Sequence, residues 1–593
     1  MFLKRISIPK DGKKHTYWAL TESVRTERGP RHRTVAYLGE LGPSERAGWA
    51  EVRRFLDGAQ PELSLFDQDK EPGELVPAQV QVKVRGVRVE GSRDFGDVYL
   101  GLLLWRALKL DELLKDKIES GREEVPWPAV GAILALARFC EPSSELHIAD
   151  TWYRRTALEG LLGVSEEQVN KARLYRGLDE VLPHKEAIER HLRERFQTLF
   201  DAKYDLVLYD VTSTYFEGEA EANPQAQRGY SRDKRGDCKQ VCIAMMVTGE
   251  GLPIGYEVFA GNRNDITTLE EIVEGMERKH GKLGRIWVVD RGISSEDNLE
   301  FLRKRGASYV VGTTKSELKH LEQHLVDSGW SEVQAGVEVK SCPGPDGVET
   351  FVLCRSSARR EKEHAMHERF ATRIEKALEK LKGRLERAKR KIDRGRVERQ
   401  IGRLLGRNSH AAGGFEIEVE EVQDRPSGLS VRWNRNAPWA EWANLTEGHY
   451  LLRTNLVGWK PEDLWKTYIQ LTQAESAFRV QKSELEVRPI WHHLEQRVQA
   501  HILFSFLAYA MWKTLEQWMA RSGLGNGPRT VLEEFARIKA VNVILPTSTG
   551  RNLRLQCVTS PDEGQRILLG RLGLELPRRL GEPRWAEVVE KKM

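Results

Sequence analysis

The order of strands and helices between residues 205 and 312 constrains the fold of this chain most. Compact apolar runs of strand length are predicted at residues 205–212, 239–248, 253–260, 285–290 and 308–312. The Gly-Glu-Gly sequence at 249–251 predicts a hairpin, and helical spacing predicts helices over 267–279 and 295–305. The order strand, hairpin, helix, strand, helix, strand is typical of a mixed α/β sheet covered by helices.

Two units and a linker are predicted before this sheet. Residues 1–60 form an N-terminal β unit whose basic turn at 25–33 either contacts nucleic acid or is a solvated hairpin tip. Residues 61–94 are a linker with few aromatic side chains. Apolar residues recur at helical spacing over 95–200, which predicts a helical subdomain that either binds DNA or is explained by helix packing alone.

Residues 313–460 interrupt the pattern as a predicted insertion subdomain, which combines strands with a helical run over 357–405. Between Arg355 and Arg407 there are 19 lysines and arginines and eight acidic residues, a net charge of +11 in a chain whose total is +5. An apolar stripe leaves the other helix faces cationic, so the run predicts either a basic arm for a phosphate backbone or a solvated helical hairpin. The cations assigned to DNA are Lys380, Lys382, Arg384, Arg387, Lys389 and Arg390.

The rest of the chain indicates a protein of a reducing compartment. Helices are predicted over 461–482 and 500–519, and residues 521–593 form a basic tail region with no assigned role. The six cysteines include no CxxC pair. No apolar run approaches the roughly 18 residues that a membrane span requires. We therefore expect a cytoplasmic protein without a membrane partner.

Three carboxylates stand out by their positions in these elements. Asp210 and Asp290 each lie at the predicted end of a buried strand, and Glu475 lies on a helix beyond the insertion. Carboxylates at adjacent strand ends, joined by one from a covering helix, can converge on divalent cations, and Mg²⁺ prefers such oxygen ligands. Each acid also has an ordinary explanation, because the aspartates can cap turns and Glu475 can pair with Arg479 on a helix surface.

The spacing around Glu475 carries a family resemblance. Tyr468-x2-Leu471-x3-Glu475-x6-Lys482 resembles the Tyr-x2-Arg-x3-Glu-x6-Lys motif of the IS4-type DDE transposases, with Leu471 in place of the family's Arg. Further segments resemble catalytic blocks of that superfamily, at 209–214, 229–235 and 289–292, or its IS1634-like branch, at 22–25 and 37–41. The resemblance covers nearly the whole chain and is strongest over 205–510.

The resemblance implies an RNase H-like catalytic core at 201–312 and 461–520, interrupted by the β-rich and helical insertion. It implies that Asp210, Asp290 and Glu475 are catalytic and hold two Mg²⁺ or Mn²⁺ ions per active site. Such a metal pair activates the attacking oxygen and stabilises the leaving oxygen of a phosphoryl displacement.

The motif helix also supplies implied DNA contacts. Tyr468 and Lys482 match the motif's DNA-contacting residues, and Arg479 on the same helix is assigned to DNA with them. The absence of a guanidinium at Leu471 removes a bidentate phosphate clamp. The resemblance therefore supports metal-assisted cleavage more strongly than the family's hairpin mechanism.

The implied function is DNA transposition and recombination by an insertion sequence. The protein would bind terminal inverted repeats, act as an endonuclease and join the ends to target DNA. It would do so as a homodimer in a synaptic complex, associated with the nucleoid when DNA is bound. Two alternatives stay open, a structure-selective metal-dependent nuclease and a catalytically dead DNA-binding repressor. The basic insertion and the motif argue against the nuclease, and the presence of all three acids gives no support to the repressor.

Overall fold

A computed structural model describes residues 2–10, 13–26, 29–39, 80–281, 285–344, 347–581 and 583–586. The chain begins with a three-stranded antiparallel sheet of β1 (Phe2–Lys10), β2 (Lys13–Thr26) and β3 (Gly29–Gly39). These three strands lie within the predicted N-terminal β unit. The middle of the predicted basic turn, at 27–28, and residues 61–79 of the predicted linker lie outside the described residues.

The helical subdomain packs around one helix that is apolar on nearly every side. Its main helices are α1 (Gly96–Ala107), α2 (Leu110–Lys117), α3 (Trp127–Cys140), α4 (Lys171–Val181) and α5 (Lys185–Phe200). Helix α3 buries most of its residues, as an all-round apolar helix must, and packs against α1, α2 and α4. A capping box of Ser165 and Gln168 opens a single 3₁₀ turn, Glu166–Gln168.

The central sheet has nine strands. In chain order they are β5 (Leu206–Tyr215), β6 (Gln240–Val247), β7 (Pro253–Ala260), β8 (Ile286–Val289), β9 (Ser308–Gly312), β10 (Ser331–Gln334), β11 (Val337–Pro343), β12 (Thr350–Ser356) and β15 (His449–Thr454). Strands β5, β6 and β7 are antiparallel neighbours, whereas β8 and β9 run parallel to β5. The spatial order β7-β6-β5-β8-β9 is that of an RNase H-like sheet, which confirms the predicted fold class.

Two helices precede the parallel strands β8 and β9 and cover the sheet. Helix α6 (Leu269–His280) leads into β8, and α7 (Glu296–Lys304) leads into β9. Ser295 caps the second helix, since its side chain accepts a hydrogen bond from the Asn298 N–H. Both helices agree with the sequence prediction to within two or three residues.

The insertion is less separate than the sequence predicted. Strands β10, β11, β12 and β15 extend the central sheet beyond β9. The separate part has its own core and consists of α8 (Ser357–Glu386), α9 (Arg394–Arg407) and the hairpin of β13 (Phe415–Glu421) and β14 (Leu429–Arg435). Helix α10 (Ala437–Thr446) packs instead against the strands that extend the central sheet, through Trp442 and Leu445. The predicted single helical run is two helices, because Asp393 caps α9 by accepting a hydrogen bond from the Arg396 N–H.

The last third of the core is helical. Helices α11 (Pro461–Ile469) and α12 (Thr472–Ser483) are followed by α13 (Glu495–Arg521), which is longer than predicted. Helix α13 packs against α3, so it joins the helical subdomain to the core. No helix in the described ranges is both long enough and apolar enough to cross a membrane.

The predicted tail and the end of the predicted linker form one folded unit. Strand β4 (Arg88–Asp94) pairs with β16 (Lys539–Pro546), and β17 (Asn552–Val558) and β18 (Arg584–Ala586) complete a four-stranded sheet. Helices α14 (Pro528–Ala536) and α15 (Glu563–Leu572) accompany this sheet. Residues 88–94 are therefore a strand and not linker, because they find a partner more than 400 residues away in the chain.

Gly96 lies at the contact between the start of α1 and the segment that leads into β16, so a substitution there tests this long-range contact. Its N–H donates to the Ile538 carbonyl at 3.0 Å, and a Cβ at this position would overlap the carbonyl oxygen of Phe535. We expect Gly96→Ala to lower the free energy of unfolding by about 1–3 kcal/mol, since backbone must shift to make room. Urea denaturation measures the change. Gly570→Ala on α15, where a Cβ meets open space, should be neutral or stabilising.

Candidate active site

Asp210 and Asp290 are brought together by the pairing of β5 with β8. The two strands are parallel, and their register pairs Tyr209 with Val289. Asp210 and Asp290 are the next residues on the two chains, so they lie side by side at a strand spacing of about 4.8 Å. Because side chains alternate, both point away from the face that buries Tyr209 and Val289.

The predicted end of the strand at Asp210 is wrong. Strand β5 continues to Tyr215, because beyond Asp210 it keeps its antiparallel pairing with β6. What ends at Asp210 is the parallel pairing, since β8 stops at Val289. Asp210 therefore lies within a strand, where the parallel pairing ends, rather than in a turn.

Glu475 reaches the same region from a helix that packs across β5 and β6. It lies in the first turn of α12, four residues after Leu471. The motif helix predicted over 461–482 is broken at residues 470–471, so Tyr468 lies on α11 and Glu475 on α12. Leu471 is a buried core residue at this break, and its position offers no polar contact.

The three carboxylates influence one another electrostatically. The pKa of Asp210 is raised to about 7, mainly by desolvation and further by the charges of Glu475 and Asp290. The Val211 N–H, which donates to Asp210 Oδ1 at 2.8 Å, and the Arg232 guanidinium oppose this rise. The pKa of Glu475 is likewise raised by desolvation and by Asp290.

This donor set fits a divalent cation in its chemistry. It offers hard carboxylate oxygens, and like charges at close range are relieved when a cation binds among them. Within the described ranges, no three His, Cys, Asp or Glu side chains are close enough to hold a metal ion as they stand.

Tyr468 lies directly against this group. Its hydroxyl is 3.5 Å from Asp290 Oδ1, and burial together with the Asp290 charge raises the pKa of the phenol. Gly312 at the end of β9 makes room for the ring, because a Cβ there would lie 2.5 Å from the Tyr468 hydroxyl oxygen. Tyr468 is therefore placed as a hydrogen-bond donor to Asp290.

Lys482 and Arg479 have different surroundings at the other end of α12. Lys482 is largely buried and donates from Nζ to Asp233 Oδ1 at 3.0 Å, and Arg488 pairs with the same oxygen. Arg479 is exposed and donates to Ser476 Oγ at 3.1 Å. Sequence reasoning missed Asp233 and Arg488, although Asp233 lies in the 229–235 block that carries part of the family resemblance.

The six cations singled out in the insertion all lie on the exposed side of the α8–α9 arm, which we define as residues 357–407. The opposite side is an apolar stripe of Ile374, Leu378, Leu381 and Leu385. Within the part of the chain that the structure describes, none of the six forms an ion pair. Their contacts are neutral, as when Arg384 donates to Gln400 Oε1 at 2.8 Å. This side of the arm is a surface of uncompensated positive charge.

Comparison with known proteins gives two family matches. Residues 201–511 match the family described as Transposase DDE domain, and residues 3–68 match the family described as IS1634 family transposase, N-terminal domain. A cryo-EM structure of a piggyBac transposase synaptic complex with hairpin DNA is similar at 10% identity and a TM-score of 0.36, covering 74% of this chain and 79% of that chain. No curated protein matches the chain. The first family match spans more than half of the chain and includes Asp210, Asp290 and Glu475.

The raised pKa of Asp210 predicts how the stability of the metal-free protein depends on pH. A carboxyl whose pKa rises from 3.8 to about 7 on folding stabilises the fold when protonated, and this contribution is lost as the pH rises through that interval. Asp210→Asn should therefore become increasingly more stable than wild type between pH 4 and pH 8, by up to about 4 kcal/mol. Urea denaturation in EDTA at several pH values measures this, and a pH-independent difference would contradict it.

Proposed function

Because the chain belongs to the DDE transposases, with an N-terminal domain of the IS1634 family, we propose that it binds the terminal inverted repeats of an insertion sequence and catalyses divalent-metal-dependent DNA cleavage and strand transfer. The observation that carries the proposal is the β5–β8 register, which makes Asp210 and Asp290 neighbours. Glu475 supports it by raising the pKa of Asp210 from a third element.

Asp210, Asp290 and Glu475 would hold two Mg²⁺ or Mn²⁺ ions. When bound, these ions activate the attacking oxygen and stabilise the leaving oxygen of a phosphoryl displacement. The protein's own residues prepare the site. Tyr468 keeps Asp290 oriented through its hydroxyl, and Arg232 favours the ionised form of Asp210 that a cation requires. Catalysis then depends on position and charge rather than on a covalent nucleophile.

The DNA contacts in this proposal come from two regions. The arm cations Lys380, Lys382, Arg384, Arg387, Lys389 and Arg390 would bind the duplex backbone, since they are exposed and without acidic partners among the described residues. Tyr468, Arg479 and Lys482 would contact DNA close to the scissile phosphate. A homodimer would hold two element ends in one synaptic complex, which gives each end an active site.

Conservative replacement of each acid tests the metal assignment. Asp210→Asn, Asp290→Asn and Glu475→Gln should each reduce Mg²⁺-dependent cleavage of an inverted-repeat duplex by at least about 10³-fold, because each removes a metal ligand and its charge. Binding of the same duplex should change less than about threefold. A gel assay with end-labelled DNA measures cleavage, and a filter or anisotropy assay measures binding.

The natural substrate for these assays is the pair of inverted repeats that flank the protein's own gene. EDTA should stop the wild-type reaction, and the products should include joined as well as cut strands. Normal cleavage by any of the three variants, or cleavage that survives chelation, would remove the metal site. Cutting without joining would favour the structure-selective nuclease.

The arm is tested by the salt dependence of binding. Each lost phosphate contact should lower the slope of log K against log salt by about 0.9. Neutralising Lys380, Lys382 and Lys389 to Gln should therefore weaken binding and reduce the slope by about 2–3. A salt titration of duplex binding measures both.

Three arginines in the same subdomain provide a matched control. Arg394, Arg432 and Arg435 are already paired with Glu398, Glu420 and Glu375. Changing these three to Gln removes the same formal charge, yet it should alter the slope less, because their charge is locally compensated. Equal effects of the two triple variants would show that the arm contributes only net charge.

A further inference from the structure

The ion cluster around Asp233 has an unusual composition. One buried carboxylate, whose side chain is 6% exposed, holds two cations that come from later in the chain, Lys482 and Arg488. Both cations use Oδ1, while Oδ2 is buried and has no hydrogen-bond partner among the described residues. The cluster carries a net charge of +1 and keeps unused hydrogen-bonding capacity, so it is not a closed ion pair.

This cluster adjoins the three carboxylates. Arg232 precedes Asp233, and its backbone N–H donates to Ser213 Oγ at 3.3 Å, three residues along β5 from Asp210. Glu475 and Lys482 lie on the same helix, α12, seven residues or about 10 Å apart along its axis. The cationic cluster and the three carboxylates are therefore neighbours, connected through β5 and through α12.

Two structural elements converge to build the cluster. Lys482 lies in the last turn of α12, and Arg488 follows in a segment whose next residues pair with the end of β5, through Phe216 and Ile490. The loop that carries Asp233 is anchored by the ion pair between Arg232 and Asp265. Both cations are therefore held at fixed positions before any ligand arrives.

We propose that Arg488 joins Lys482, already assigned to DNA near the scissile phosphate, in one phosphate-binding subsite, and that Asp233 is the positioning residue that holds both cations. The inference rests on the proposed function and assigns roles to Asp233 and Arg488. Arg488 is 30% exposed, so its guanidinium keeps donors for an incoming phosphate, and Lys482 adds a point charge beside it. Buried Leu471 offers no such donor.

The physical logic is preorganisation. Lys and Arg side chains lose rotamer freedom when they are immobilised, and a carboxylate that has already ordered them removes that cost from DNA binding. The same fixed charges favour the added negative charge of the transition state, because they need not reorganise during the reaction. Asp233 therefore lowers the net positive charge of the cluster, but it holds the Lys482 and Arg488 side chains in more accurately defined positions.

The variant Asp233→Asn distinguishes a positioning role of Asp233 from a purely electrostatic one. The substitution keeps the shape and removes one negative charge, so a purely electrostatic role predicts tighter DNA binding and unchanged cleavage. Our proposal instead predicts that single-turnover cleavage of prebound DNA falls at least about tenfold, since misplaced groups lose rate even when binding persists. The dissociation constant should stay within about threefold of wild type or fall.

Asp237→Asn is the matched control. Asp237 lies in the same loop and also pairs with an arginine, Arg235, but its side chain is 67% exposed. This variant should cleave DNA like wild type. Equal cleavage by Asp233→Asn and wild type would overturn the proposal, as would a rate loss fully explained by weaker binding. Thermal unfolding of both variants checks that each is folded.

Arg488 gives a second measurement that does not depend on changing Asp233. Arg488→Gln should slow single-turnover cleavage and lower the salt slope of binding by about 0.9, and Arg488→Lys should recover part of the rate. A duplex series with single methylphosphonates near the scissile bond locates the contact. At one position the neutral linkage should slow wild type but not Arg488→Gln, and equal sensitivity at every position would exclude the contact.

The two proposals fail in different ways. If the wild-type protein does not cleave DNA that carries its own inverted repeats, the proposed function is wrong before any variant is compared. If wild type cleaves and the Asp233 and Arg488 variants cleave equally well, the transposase chemistry stands and only the phosphate subsite is wrong.

Discussion

The parallel pairing of β5 with β8 is the interaction on which the candidate site depends. It fixes Asp210 beside Asp290, and no other feature of the site could compensate for a shift in that register, because a slip of one residue would turn one carboxylate to the opposite face. The pairing also has an electrostatic cost. Burial, and further the charges of Glu475 and Asp290, raise the pKa of Asp210 to about 7, and a cation bound among these carboxylates would relieve their repulsion.

Sequence reasoning predicted the elements whose signal is local. The apolar strands were predicted because each is a continuous apolar run, the 249–251 hairpin because of its glycines, and the two covering helices because their buried residues recur at helical spacing. Sequence reasoning failed where pairing with a strand that is distant in the chain decides whether, or how far, a segment forms a strand. Strand β5 continues past Asp210 because β6 pairs with it, and β4 exists because β16 lies beside it. The break at residues 470–471 contains neither Gly nor Pro, so helical spacing continues across it.

The same distinction applies to the candidate site. Asp210, Asp290 and Glu475 could be selected from the sequence because strand ends and a motif spacing marked them. Asp233 lies in the 229–235 block that carries part of the family resemblance, but the sequence assigned no role to it or to Arg488, since an Asp in a loop and an Arg before a Pro are ordinary by themselves. Only the folded chain brings them to Lys482, which is 249 residues from Asp233 in the sequence. In general, hydrophobic periodicity and motif spacing cannot predict buried charge clusters whose residues come from distant segments.

The positive charge of this protein is divided between two physical roles. The arm has exposed cations without acidic partners among the described residues, and such charges act over a Debye length, respond strongly to salt and tolerate variation in geometry. Lys482 and Arg488 are only two cations, and both are partly buried and paired with Asp233. Their attraction for a distant anion is therefore weaker, but their side chains are held in defined positions. A phosphodiester that is to be cut needs the second kind, because the carboxylates can act only on an atom held in place. In the proposed function, affinity for DNA would therefore come from the arm, and alignment of the scissile phosphodiester would come from Lys482 and Arg488.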